Sequence, residues 1–318
     1  MKLNRCMGKK DDSSRPQPDN HGLTARPCNW CPRECRADRS EKLGFCGCPD
    51  KIKLARAALH FGEEPCLSGK RGSGTVFFSG CNLRCCFCQN YQISSLGWGR
   101  EISVDRMAQI FLELQAAGAH NINLVTATPY LQWIMPALDR ARPGLHIPVV
   151  YNCSGYEKVE VIEALQPNID IYLPDLKYYS QELAWRYSRC RDYFEIATAA
   201  IQAMVAQCGP PVFDRDGILQ QGVIIRHLVL PGARQDSIMI MQWLSENLPR
   251  DAYLLSLMSQ YTPTHNSRQF KEINRKITSR EYDSVVNEAI RLGLTNGYIQ
   301  DRCSAEPGYT PPFNLEGI

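Results

Sequence analysis

The chain has 318 residues, of which 44% are hydrophobic and 22% charged, and its formal net charge is +3. That length suits a single α/β barrel and that apolar fraction fills a sizeable core, while the near-neutral balance gives no electrostatic case for a nucleic-acid partner. No run of about 18 apolar residues occurs, which excludes a membrane-spanning helix of ordinary length. Fifteen cysteines are present. Residues 1–26 are polar, carry Asp11, Asp12 and Asp19, and show no secretory pattern, so a cytoplasmic location is expected. Thiols stay reduced there, and clustered cysteines read as metal ligands rather than disulfides.

In chain order, residues 1–26 are rich in Ser, Pro, Lys, Arg and Asp and predict a disordered leader. Residues 27–70 are cysteine-rich without clear periodicity, as expected of a small metal-binding subdomain. Regular alternation starts near Thr75. Short β-rich runs at 75–79, 121–126, 147–152, 170–174, 223–230 and 253–259 are separated by helical patterns. Over 104–118 the period places Met107, Ile110, Phe111, Leu114 and Ala117 on one face, with Ser103 as N-cap and Gly118 as stop. Helices are likewise expected at 130–142, 156–165, 194–207 and 235–247. A last helix near 280–292 is expected to open with Thr278 capping and Glu281 answering. Six strand–helix units over residues 71–300 predict an α/β fold, a partial (βα)6 TIM-like barrel behind a small N-terminal cysteine-rich subdomain. Residues 301–318 read as a C-terminal tail. In such barrels the chemistry sits at the carboxyl ends of the strands.

Immediately after the first strand comes CNLRCCFCQN. Cys81, Cys85 and Cys88 have three and two residues between them, and three thiolates on one tight loop can bind three irons of a [4Fe–4S] cluster. Cluster loops ordinarily supply four cysteines, so one iron is left open to a ligand from outside the chain. Cys86 does not fit the spacing and reads as a packed thiol. Upstream, Cys28, Cys31 and Cys35 in CNWCPREC, with Cys46 in GFCGC, form a second group. Zinc and an auxiliary iron–sulfur cluster both suit four such thiolates, and free thiols remain a third reading. Strand ends also carry polar groups where an apolar strand should stop. Thr126 and Thr128 end the second strand, and Arg226 interrupts the fifth, where a buried guanidinium needs a partner.

These residues resemble the radical S-adenosylmethionine superfamily. The span from Cys28 to about Gln300 resembles a branch of pyruvate formate-lyase activating enzymes. The stretches that carry the resemblance are CPREC, GEEPCLSGKRGSGTVFFSGCNLRC, NINLVT, YNCSGY, DIYLPDLKYYS, RHLVLPG and LMSQYTP. The front part also resembles radical enzymes that accompany Memo-type proteins. The resemblance implies reductive cleavage of S-adenosylmethionine to a 5′-deoxyadenosyl radical that abstracts hydrogen, with the activation of a glycyl-radical enzyme as the finer reading. It places Phe87 beside the adenine and makes Asn152, Ser154, Asp175, Lys177 and Arg226 cofactor contacts, Arg226 toward the carboxylate. Thr126 and Thr128 stand where the superfamily has a glycine-rich acidic motif, and Asn152 where the activating enzyme has an acid. Implied partners are a flavodoxin or ferredoxin as electron donor and a protein substrate. The alternatives are radical modification of another peptide or a small molecule, and a non-enzymatic iron–sulfur redox sensor or electron carrier.

Overall fold

The computed structural model of the chain describes residue 23, residues 26–300 and residues 310–318. Most of the expected leader therefore lies outside the described residues. The strands are β1 (Ile52–His60), β2 (Ser73–Phe78), β3 (Arg100–Ile102), β4 (Ile122–Val125), β5 (Val149–Cys153), β6 (Ile171–Pro174), β7 (Val212–Phe213), β8 (Leu219–Leu228), β9 (Leu254–Met258) and β10 (Gly297–Ile299). They form one ten-stranded sheet in the order β10-β9-β8-β6-β5-β4-β2-β1-β3, with β7 paired to β8. From β2 through β10 along that path every pairing is parallel. The six expected strands are all present, and β10 adds a seventh parallel strand too short to show periodicity. The helices are α1 (Pro65–Ser68), α2 (Tyr91–Ser94), α3 (Val104–Ala116), α4 (Leu131–Ala141), α5 (Val159–Leu165), α6 (Gln181–Ser188), α7 (Tyr193–Cys208), α8 (Arg234–Asn247) and α9 (Ser279–Arg291).

Helix boundaries follow local chemistry. Ser103 accepts a hydrogen bond from the Arg106 amide at the start of α3, and α9 opens with a capping box between Thr278 and Glu281. Each satisfies an amide that the first helical turn leaves without a partner. Side chains on the strands alternate between two apolar layers. Tyr151, Tyr172, Val223, Ile225 and Leu255 face the main core shared with the helices. Val150, Ile171, Ile224 and Leu254 face inward, where Cys66 and Leu67 of α1 pack against them. The period of two sorts these neighbours onto opposite faces. Since Ile171, Leu219 and Leu254 are the first residues of their strands, α1 plugs the barrel at its amino end.

Two expected boundaries shift. β1 pairs antiparallel with β2 over Leu54–His60 and with β3 over Ile52–Leu54, so a domain limit at residue 70 would cut through the sheet. The cysteine-rich part proper ends near residue 51. Residues 310–318 run along β1, with the Ala57 amide donating to Glu316 O and the Leu315 amide donating to Ala55 O. Among the described residues no helix is long and apolar enough to cross a membrane.

Candidate active site

A cavity of about 520 Å³ occupies the barrel and opens at the carboxyl ends of its strands. Cys81, Cys85 and Cys88 line it, whereas Cys86 does not. The loop that carries them leaves β2 through Gly80, whose φ of +84° is in the glycine region and where a β-carbon would lie 2.2 Å from Cys48 Sγ. Only glycine fits both demands. Each sulfur receives a donor: the Leu83 amide at 3.3 Å from Cys81, the Ser188 hydroxyl at 3.0 Å from Cys85 and the Ser94 hydroxyl at 3.2 Å from Cys88. Burial pushes Cys81 up to about 12 and raises Cys88, so these two thiols favour their protonated form and a bound metal would displace those protons. Cys86 turns away, its amide donating to Tyr187 O. Cys153 also borders the cavity, but burial and Glu157 dominate its surroundings. The donor set fits a [4Fe–4S] cluster with three protein ligands and one open iron.

Below the thiols lies a charged network. Arg226 donates from Nε to Asp175 Oδ1 at 3.1 Å, from Nη1 to Glu63 Oε2 at 3.3 Å and from Nη2 to Asn152 Oδ1 at 2.6 Å. Lys177 Nζ donates to Asp175 Oδ2 at 2.6 Å. Burial opposes the charges on Asp175 and Lys177, but their mutual attraction and Arg226 hold Asp175 below the ordinary carboxylate range, and Asp175 holds Lys177 above its ordinary value. Glu63 goes the other way, since burial outweighs Arg226 and raises it to about 7. Asn152, Ser154, Asp175, Lys177 and Arg226 all line the cavity. The pairing of Lys177 with Asp175 takes place inside the barrel. Arg226 already has protein partners at all three nitrogens. Phe87 borders the cavity and meets Tyr178, Tyr187 and Tyr261 edge-on, with centroids 6.4, 6.4 and 5.9 Å away. His227, on the opposite face of β8, is buried between Leu176 O and Ser237 Oγ.

The two threonines part. Thr126 lines the cavity with a φ of +62°. Thr128 does not, a correction to its expected role. It begins a 3₁₀ turn and is buried, donating to Glu157 Oε1 at 2.8 Å with Tyr151 Oη 2.9 Å away. Two residues past the left-handed Thr126, the chain has turned away from the barrel. The expected second metal set, Cys28, Cys31, Cys35 and Cys46, lies outside this cavity. Among the described residues no three His, Cys, Asp or Glu side chains, Cys81, Cys85 and Cys88 included, gather as ligands of a single ion. Thiolates around one zinc, at about 2.3 Å each, would crowd within about 4 Å of one another. Cys31 has Cys28 and Cys46 nearby, but Cys35 is exposed and Cys48, left out of the expected set, lies beside Cys46. Sequence reasoning missed Glu63 and Glu64, which border the cavity from the loop between β1 and α1. The doubled acid in GEEP, within an otherwise apolar plug, was the available signal.

An α/β barrel with three thiols at the end of its first parallel strand defines a class of iron–sulfur radical enzyme. The radical SAM superfamily profile matches residues 75–215. "Uncharacterized protein MJ0674" of Methanocaldococcus jannaschii is 30% identical over 279 residues, 84% of this chain and 75% of that protein. The chain belongs to the radical SAM superfamily. Similar solved structures include methylornithine synthase (PylB), at TM-score 0.47 and 13% identity, covering 79% of this chain and 65% of that one. Streptococcus suis SuiB bound to S-adenosylmethionine matches at TM-score 0.46 and 12% identity, covering 73% of this chain and 51% of that one. A domain of pyruvate-formate lyase-activating enzyme from Bacteroides vulgatus matches at 0.38 and 15%, covering 54% of this chain and 91% of that one.

Proposed function

We propose that this radical SAM protein removes a hydrogen atom from a backbone glycine of a partner protein admitted through the open side of the barrel. The observation that carries the general reading is the set of three donor-supported thiols, Cys81, Cys85 and Cys88, facing one cavity. They would hold a [4Fe–4S] cluster, with Asn152, Ser154, Asp175, Lys177 and Arg226 beside S-adenosylmethionine. When bound, the two groups together supply one-electron cleavage of a C–S bond and a carbon radical able to take hydrogen. The chain's own residues orient and shield. Phe87 and its three tyrosines build an apolar wall that keeps water from the reacting space. Lys177 and Arg226 keep their charges because Asp175 stays ionised, and so present fixed positive dipoles without later rearrangement. The resemblance to activating enzymes supports the glycine as hydrogen donor, with a flavodoxin or ferredoxin delivering the electron.

Anaerobic incubation of the reconstituted protein with S-adenosylmethionine and dithionite tests the general reading. Formation of 5′-deoxyadenosine and methionine is expected, and their absence would make the protein a sensor or electron carrier. Electron paramagnetic resonance of a co-encoded glycyl-radical enzyme tests the finer one. A glycine-centred doublet supports it, and cleavage without that signal moves the substrate to another peptide or a small molecule.

A further inference from the structure

Glu64 is a buried carboxylate that the network above does not use. It borders the cavity, only 9% of its surface is exposed, and its Oε2 is buried with no hydrogen-bond partner. A buried carboxyl oxygen left this way lacks the donor or counter-charge that burial ordinarily requires. Arg226 attracts Glu64 through space, but the hydrogen bonds of the cavity's cations go to other groups. Arg226 donates to Asp175, Glu63 and Asn152, and Lys177 donates to Asp175. No ion pair within 4.0 Å reaches Glu64 from any described residue. Nearby His60 brings no charge at neutral pH, because burial and Arg56 lower its pKa.

The position of Glu64 separates it from the thiols. Its loop leaves β1 at His60, which pairs with Ser73, the first residue of β2, while Cys81 lies three residues past Phe78, the last. Five steps of β2, at about 3.3 Å each, set those two ends about 16 Å apart along the strand. Helix α1, which follows Glu64 directly, seals the amino end of the barrel. Glu64 therefore serves the deep part of the cavity rather than the thiol end.

We propose that Glu64 is the recognition site for a positively charged group, a primary ammonium or a guanidinium, carried by the molecule from which hydrogen is taken. This rests on the reading of the cavity as the radical site, and it narrows the substrate to a cation-bearing class. In a protein substrate the group is a lysine, an arginine or an amino terminus close to the reacting carbon. The carboxylate accepts two charge-assisted hydrogen bonds from the cation, which gives its buried oxygen the donor that no described side chain supplies.

The probes are methylguanidinium and propylammonium chlorides, with N-methylurea as the neutral isostere of the first. Binding to the cluster-reconstituted full chain is followed by saturation-transfer nuclear magnetic resonance. The cations should bind wild type and lose about tenfold or more in affinity for Glu64→Gln, while N-methylurea binds both alike and weakly. Equal cation affinity for the two proteins would overturn the assignment. A wild-type crystal soaked with methylguanidinium decides the matter without the variant: density on the Glu64 carboxylate supports it, and a cavity with no cation on Glu64 rejects it. Formation of 5′-deoxyadenosine is scored on the same wild-type preparation. Cleavage without cation binding rejects only the Glu64 site, and cation binding without cleavage rejects the radical reading while leaving the site.

Discussion

Two stretches of this chain have almost the same cysteine grammar, and they fold differently. Cys28, Cys31 and Cys35 are spaced much as Cys81, Cys85 and Cys88 are. The second set is launched from β2, a strand buried along its whole length, and its sulfurs face one cavity with a donor on each. The first set has no strand before it, and Cys35 is exposed. Spacing states what thiols can bind, while the scaffold decides which space they face. The front segment is held by other means. Arg33 donates to the carbonyls of Asn82, Arg189 and Ser188 at 2.8, 2.7 and 3.0 Å, and its guanidinium lies 4.0 Å from the centre of the Phe45 ring. It thereby ties the front segment to the cysteine loop and to the serine whose hydroxyl supports Cys85.

The comparison breaks most visibly at the ligands. Cys81→Ala, Cys85→Ala and Cys88→Ala should each lose the brown absorbance and all cleavage of S-adenosylmethionine, whereas Cys35→Ala and Cys86→Ala keep both and about four irons per chain. Iron analysis with visible spectroscopy checks this, and a colourless Cys35→Ala protein would put the two sets on an equal footing. A smaller effect tests the acid between the two regions. Glu157 is buried beside Thr128 and Tyr151 and also influences Cys31, and burial raises it to about 8 from an ordinary 4.5. A carboxyl whose folded value is raised stabilises fully below its unfolded value, and that contribution is lost as pH climbs through the folded value. Stability should therefore fall between about pH 4.5 and 8, by up to about 1.4 kcal/mol for each pH unit crossed, and Glu157→Gln should flatten the slope. Urea midpoints at several pH values measure it, and an unchanged slope in the variant would show that the carboxyl is solvated. Smallest is Arg33→Ala, expected to cost about 2–3 kcal/mol through three charge-assisted bonds. Limited proteolysis should then cut the front segment first, while a uniform loss of protection would mean that Arg33 does not hold that segment in particular.

Much of the frame was legible because buried parallel strands announce themselves. Runs such as IPVVYN and DIYLP carry no competing period, and the Thr278–Glu281 capping box is a local signal that local structure obeys. The cysteine loop was legible for a similar reason, since its ligands lie within eight residues and follow a strand. What escaped depends on contacts far apart in the chain. Arg226 was expected to await the cofactor, yet its partners Glu63, Asn152 and Asp175 come from three other elements. Thr128 was misplaced because one left-handed residue, Thr126, redirects the backbone. Glu63 and Glu64 sit in a loop without periodicity, and only the closure of the sheet turns them into the barrel.

The run of residues 310–318 along β1 has a consequence for solubility. β3 covers β1 only from Ile52 to Leu54, so Ala55 and Ala57 depend on Leu315 and Glu316 for their backbone partners. Bare strand edges recruit strands from other molecules. Those few residues, with the Arg56–Glu316 pair and the Phe77–Phe313 contact, act as a built-in guard against edge-to-edge aggregation on the flank where the sheet would otherwise be most adhesive.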